Sequence, residues 1–263
     1  MTVPVYVITL ASATQRRAFQ QAQAQRLGFS PTWHPAMGVN DFPDEVFLQH
    51  AFSWQRSLKK TEVGCFMSHL QIWRTIAAGA TPTVVLEDDV ILGDGWFETI
   101  QMLASQAQAD FICLEAWGKK VLGAEQTVGH LKLQRLYLNS AGAAAYVLWP
   151  SGAQRLLFQY ERYGVALADA FINQVHDWSA WQLVPANVVQ MNVAPLYGLP
   201  APVHSDSLIA REKHPSAPPP TIGLVFMMKW RRLKGELNKA LRRISSFWLA
   251  KRGYVPYLHH DHQ

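Results

Sequence analysis

Four residues suited to a strand buried on both faces, Thr83-Val84-Val85-Leu86, run straight into three carboxylates, Glu87-Asp88-Asp89. A continuous apolar run of this kind belongs in a sheet with helices on both sides, not on a half-exposed one. Residues 3–10 form a second such run. A helix is expected over 13–27, with Ser12 placed to cap it and Gly28 to end it. Further helices are expected over 61–78 (closed by Gly79), 96–107 and 151–160, and further strands over 110–114 and 143–149. Residues 29–60 read as a long loop with a short helix, and 115–140 as less regular. The alternation predicts an α/β fold with a mostly parallel central sheet and helices on both faces. Ligands in such sheets bind at the carboxyl ends of the strands, which is where the acidic triplet falls.

Three adjacent carboxylates repel one another, and leaving them ionised is costly without a cation. Residues two apart in an extended segment share a face, so Glu87 and Asp89 can point together at a hard divalent ion. Asp88 then turns toward a ribose or into the protein. Oxygen ligands suit Mn²⁺ or Mg²⁺, which can bridge a nucleotide diphosphate. The alternative is a solvated acidic loop or a helix cap, and spacing alone does not separate the two.

Charge is unevenly placed. The chain of 263 residues carries +5, yet residues 229–252 hold nine Lys or Arg against Glu236 alone, while residues 1–228 are slightly acidic. Ala217-Pro218-Pro219-Pro220 reads as a linker. Beyond it Phe226, Trp230, Leu233, Leu237, Leu241, Ile244 and Trp248 recur at three- and four-residue steps, an amphipathic helix with a basic opposite face. Such a segment, residues 222–252, fits peripheral contact with an anionic membrane; packing on the domain or on a second subunit is the alternative. The body lacks the aromatic–basic interleaving of a nucleic-acid surface. Cys65 and Cys113 sit in apolar runs as free thiols, which fits a reducing compartment. The N-terminus has no signal-peptide pattern, and no 18-residue apolar stretch exists, so a cytoplasmic location is expected.

Several segments resemble glycosyltransferase family 25, the lipopolysaccharide-biosynthesis galactosyltransferase family, in family order. They are Val5 through Leu10 with Arg16-Arg17; Glu62-Val63-Gly64-Cys65-Phe66-Met67-Ser68-His69 with Trp73; Val84 through Val90 with the acidic triplet; and Gly142 through Tyr146 with Gly152-Ala153 and Leu156-Leu157. Asp169 and a closing block with Pro195 and Ser205-Asp206 follow. The second and third are the most specific. Thr9 stands where the family usually has Asn, and His204 stands near an expected Gln-rich stretch.

The resemblance implies a GT-A-like catalytic domain over residues 1–215, followed by a Pro-rich linker and basic helical tail over 216–263. It implies a UDP-sugar donor, galactose foremost, and transfer with inversion to a lipooligosaccharide or other glycan or glycolipid acceptor. A cytoplasmic-face position at a bacterial inner membrane would suit that acceptor. Thr9, Leu10, Arg16, Glu62, Ser68, His69 and Asp88 fall to the donor side, Glu87 and Asp89 to the metal. Inversion needs a base across the sugar from the metal, which points to Asp169, with Glu115 second. Each has a structural counterpart: Asp169 as a helix cap, His69 as a buried hydrogen-bonder, Glu62 and Gly64 as cap and packing residues, Arg16 and Arg17 as a solvated face. Asp206 and His204 are possible extra ligands, and His259, His260 and His262 read as a disordered end. A non-catalytic nucleotide- or glycan-binding domain and a nucleotidyltransferase are the competing readings.

Overall fold

A computed structural model describes residues 2–139, 142–200, 202 and 217–258. His204, Ser205, Asp206, His259, His260 and His262 lie outside the described residues, as do most of residues 201–216.

The two sequence runs singled out above become neighbouring strands, β1 (Val5–Thr9) and β3 (Thr83–Glu87). They pair in parallel, and β1 pairs in parallel with β2 (Thr32–Pro35) on its other side. The sheet continues through β8 (Ala145–Leu148), β5 (Phe111–Cys113) and β9 (Ala180–Leu183). Within this body only β8 runs against the other five strands, since it pairs antiparallel with both β3 and β5 while β5 and β9 pair in parallel. The carboxyl ends of β1, β3 and β5 thus share one edge with the amino end of β8.

Alternation along these strands builds two cores. Val5, Val7, Val84, Leu86, Ile112 and Val147 pack with α1 (Thr14–Leu27) and α4 (Trp96–Gln106). Ile8, Val85, Phe111, Tyr146 and Leu148 face the other way, against α3 (Lys60–Ala77), α5 (Pro150–Tyr163) and α6 (Ala168–Ile172). Gly28 ends α1 in the left-handed conformation. No side chain caps its start; Ser12 does not act as the cap. In the 29–60 region the short helix is α2 (Asp44–His50).

Gly64 shows why a glycine sits inside α3. A Cβ there would lie 2.3 Å from the Met37 carbonyl oxygen, so the helix could not meet the loop after β2. Gly64→Ala is expected to cost about 1–3 kcal/mol, an overpacking penalty that outweighs alanine's better helix propensity. Chemical denaturation checks this; an unchanged or higher midpoint would show that the loop yields without cost.

Residues 115–140 are more regular than expected. β6 (Lys119–Val128) and β7 (Leu131–Asn139) form a long antiparallel hairpin that extends the sheet beyond β9. Register shifts between Val121 and Glu125 break the two-residue alternation, which hid the strand. A short pair, β4 (Val90–Leu92) with β10 (Val188–Gln190), continues the chain after the acidic triplet.

The basic segment forms α7 (Ile222–Ser245), capped by the Thr221 hydroxyl. It lies against the body through Met228 and through polar contacts. Arg231 donates to the Phe52 carbonyl (2.7 Å), and Arg242 to those of Asn173 (3.0 Å) and Val175 (3.1 Å). Its apolar stripe does not pack on the domain: Phe226, Trp230, Leu233, Leu237 and Ile244 are exposed, and Trp248 beyond the helix is 90% exposed. The chain then returns as β11 (Lys251–Tyr254), paired with β6, and buries Val255 and Tyr257 beside Ala186 and Val189. Among the described residues no helix is long and apolar enough to cross a membrane.

Candidate active site

The acidic triplet lies at the sheet edge where β1, β3, β5 and β8 meet, and each carboxylate has a different environment. Asp88 turns inward. Its oxygens take the Thr9 hydroxyl (2.7 Å) and face the Arg16 guanidinium (3.3 Å). The segment behind it is fixed from α1: Gln20 donates to the carbonyls of Asp88 (3.0 Å) and Val90 (2.7 Å), and Gln23 both donates to Val90 (3.0 Å) and accepts from the Leu92 amide (2.8 Å). Sequence reading had no signal for these two glutamines, because their partners lie some 70 residues away.

Glu87 faces α3. Trp73 donates to the Tyr146 hydroxyl oxygen (2.9 Å), which directs the hydroxyl proton to His69 Nδ1 (2.9 Å) and leaves the His69 Nε2–H facing Glu87 (3.2 Å). Burial pulls the His69 pKa down to about 4. The imidazole is therefore neutral near pH 7, and its contact with Glu87 is a hydrogen bond, not an ion pair. Cys65, one turn before His69, completes a group with His69 and Glu87 whose ligand atoms lie within 4.8 Å of one another.

Asp89 is held by its backbone, whose carbonyl accepts from the Met191 amide (2.8 Å), while the buried Oδ1 of its side chain has no partner among the described residues. Glu115, fully buried past the end of β5, accepts from the Ala144 amide (3.1 Å), and its Oε2 is likewise unpartnered. Gly142 makes room for it: a Cβ there would lie 2.7 Å from Glu115 Oε1. Behind it the buried Lys120 donates to the Glu115 carbonyl (2.7 Å), Gln182 (2.6 Å) and the Cys113 sulfur (3.1 Å). Lys120 falls in the stretch read as irregular and was missed.

Burial raises Glu87, Asp89 and Glu115 to about 7, and their mutual repulsion adds to the shift. The unpartnered buried oxygens belong to Asp89 and Glu115, while the Glu87 Oε1 faces His69. Crowded, desolvated carboxylates of this kind are what a hard cation would relieve, and the chemistry of Asp89 and Glu87 suits one.

These shifts carry a stability consequence. Between about pH 4.5 and 7 the folded carboxylates retain protons that the unfolded chain has released, so the metal-free protein should lose stability as pH rises. His69, lowered from 6.5 to about 4, opposes this over most of the range, as do His34, His50 and His176, which burial also lowers, while the raised Asp88 and Asp169 add to the loss. Melting temperatures in chelator from about pH 5 to about pH 8 should fall, and added Mn²⁺ should raise them most at the alkaline end. A metal-free melting temperature that climbs steadily would contradict this charge assignment.

The other expected residues divide clearly. Glu62 is held by Arg56 in a two-point contact (2.9 and 2.7 Å) and accepts the Lys59 amide (2.9 Å) at the start of α3. The Ser68 hydroxyl bridges the Gly64 carbonyl (2.8 Å) and the Met37 amide (2.9 Å). Both thus occupy structural positions. Leu10, at the end of β1, accepts the Ala13 amide (3.0 Å), and Arg17 lies over Trp33. Asp169 sits in the first turn of α6, accepting the Ala170 amide (2.7 Å). Burial pushes its pKa up, and it is close enough to raise the thiol pKa of Cys65 and to counter the fall at His69.

Comparison with known proteins matches this region. The family model for glycosyltransferase family 25 (LPS biosynthesis protein) covers residues 2–172. A Rattus norvegicus protein described as a probable inactive glycosyltransferase 25 family member 3 is 30% identical over 66% of this chain, which spans about 33% of that protein. The Haemophilus influenzae lipooligosaccharide biosynthesis protein lic2B is 24% identical over 96% of this chain and 98% of its own length. The Neisseria meningitidis serogroup B lacto-N-neotetraose biosynthesis glycosyltransferase LgtE is 30% identical over 66% of this chain and 64% of its own.

Proposed function

The chain belongs to glycosyltransferase family 25, and on that premise we propose that it moves a sugar, galactose foremost, from a UDP-sugar to a lipooligosaccharide or related glycan with inversion at the anomeric carbon. The observation that carries this is the unpartnered, buried Asp89 oxygen beside Glu87 at the sheet edge. Relatives named for lipooligosaccharide and lacto-N-neotetraose biosynthesis support the acceptor class.

In this reading Glu87 and Asp89 hold Mn²⁺ or Mg²⁺, which supplies positive charge against the negative charge gathering on the departing UDP. The Trp73–Tyr146–His69 chain fixes the orientation of the Glu87 carboxylate. Asp88, tied to Thr9 and Arg16, fixes the backbone that presents its two neighbours. An acceptor hydroxyl forms the new bond to the anomeric carbon as the bond to the diphosphate breaks, and its proton passes to Asp169. Asp169 suits this better than Glu115 because it lines an open groove, whereas Glu115 is wholly enclosed. Its raised pKa favours proton uptake.

The exposed stripe on α7, with basic residues at its flanks, attaches the enzyme to an anionic membrane, each charge adding about 1 kcal/mol at most. Ile244→Glu with Trp248→Glu should then lose co-sedimentation with anionic vesicles; unchanged sedimentation would remove that role.

The rat relative described as probable inactive favours a second reading, a domain that binds nucleotide without turnover. Release of UDP from UDP-galactose, stimulated by Mn²⁺ and deacylated lipooligosaccharide, decides between them. UDP binding without release would support the second reading, and release of inorganic diphosphate would instead indicate nucleotidyl transfer.

A further inference from the structure

A groove of about 1040 Å³ runs between the body and α7 and has Asp169 on its wall. Nine of its lining residues are Lys or Arg and two are Asp. That imbalance is made jointly: Arg155 and Arg162 come from α5, and Lys234, Arg242 and Arg243 come from α7. The helix is seated so that this is possible, anchored through Arg231 near one part of the groove and Arg242 near another. Much of the tail's charge therefore faces a cleft of the protein's own making.

Aromatic faces share the same walls. Trp54, Phe158, Tyr163 and Trp230 all line it, and the last three are half-exposed or more, so core packing does not account for them. Flat aromatic faces beside guanidinium groups suit a sugar chain that carries anionic substituents: rings stack on the former, and phosphate or carboxylate oxygens pair with the latter.

We propose that this groove is the acceptor site and that it selects an anionic glycan, one bearing phosphate or carboxylate groups, with α7 forming half of the site. This rests on the reading of Asp169 as the base, because Asp169 is what joins the groove to the chemistry.

The test is direct binding, without turnover, of a deacylated and phosphorylated lipooligosaccharide core, measured calorimetrically at low salt. Arg162→Ala, Lys234→Ala and Arg243→Ala change exposed side chains outside the catalytic cluster, so the fold should hold. Each should weaken binding about tenfold, the size of one charge-assisted contact, and leave UDP binding unchanged. Two treated cores identify the anion recognised: one stripped of phosphate and one with its carboxylates reduced. At least one should bind at least tenfold more weakly than the untreated core. Native affinity in all three variants, or in both treated cores, would overturn the proposal. So would a single-stranded oligonucleotide that displaces the core at equal concentration. Failure of Asp169→Asn to lower turnover, with these binding results intact, would sink the base assignment and leave the groove as a glycan site.

Discussion

Asp89→Ala should lower metal-dependent UDP release by roughly a thousandfold, the scale of losing a principal stabiliser of transition-state charge. The same substitution should leave the metal-free protein at least as stable as the parent. The Asp89 Oδ1 is buried and unpartnered, and desolvation together with the Glu87 and Asp88 charges pushes its pKa up. Removing it relieves a desolvated charge without breaking a side-chain contact that holds the fold, since Met191 bonds the backbone. Activity and melting temperature should thus move in opposite directions or not together. A parallel loss of both would make Asp89 a structural residue. Full activity in the folded variant would remove it from the metal site.

Asp169→Asn should lower kcat by roughly a hundred- to ten-thousandfold, the usual range for a general base, with UDP-sugar binding unchanged. Asparagine is nearly isosteric, and its oxygen can still accept the Ala170 amide at 2.7 Å, so the first turn of α6 keeps its contact. What is lost is the ability to take a proton. The KM for donor should hold while kcat falls, a split that a helix-capping role alone would not produce. An unchanged kcat would pass the role to Glu115, where Glu115→Gln becomes the decisive variant.

The parts of the site that could be read in the sequence are the local ones. A buried strand ending in carboxylates, a helix closed by Gly28 and a Glu-x-Gly-Cys-x-x-Ser-His segment all announce themselves within short stretches of sequence. Glu62 and Ser68 belong to that recognisable segment, yet each is used to hold α3 and the loop beside it, because sequence pattern marks position and not the partner. The Trp73–Tyr146–His69 chain and the Gln20–Val90 bonds join residues about 70 apart, and only the topology reveals them. Lys120 was hidden by the shifts in β6 that broke strand periodicity. The basic tail was legible as an amphipathic helix. Which face met the body was not, because the contacting face is made of Met228, Arg231, Arg242 and Gly235, where a Cβ would lie 2.5 Å from Gln55 Nε2, and not of the apolar stripe.

Sugar transfer by this chain can be read by mass spectrometry of deacylated lipooligosaccharide after incubation with Mn²⁺ and each of several UDP-sugars. One donor, UDP-galactose first, should add a single hexose mass to the acceptor and liberate one UDP for each transfer. Bound UDP with no mass gain on any acceptor, or a product that gains a nucleotide, would contradict this.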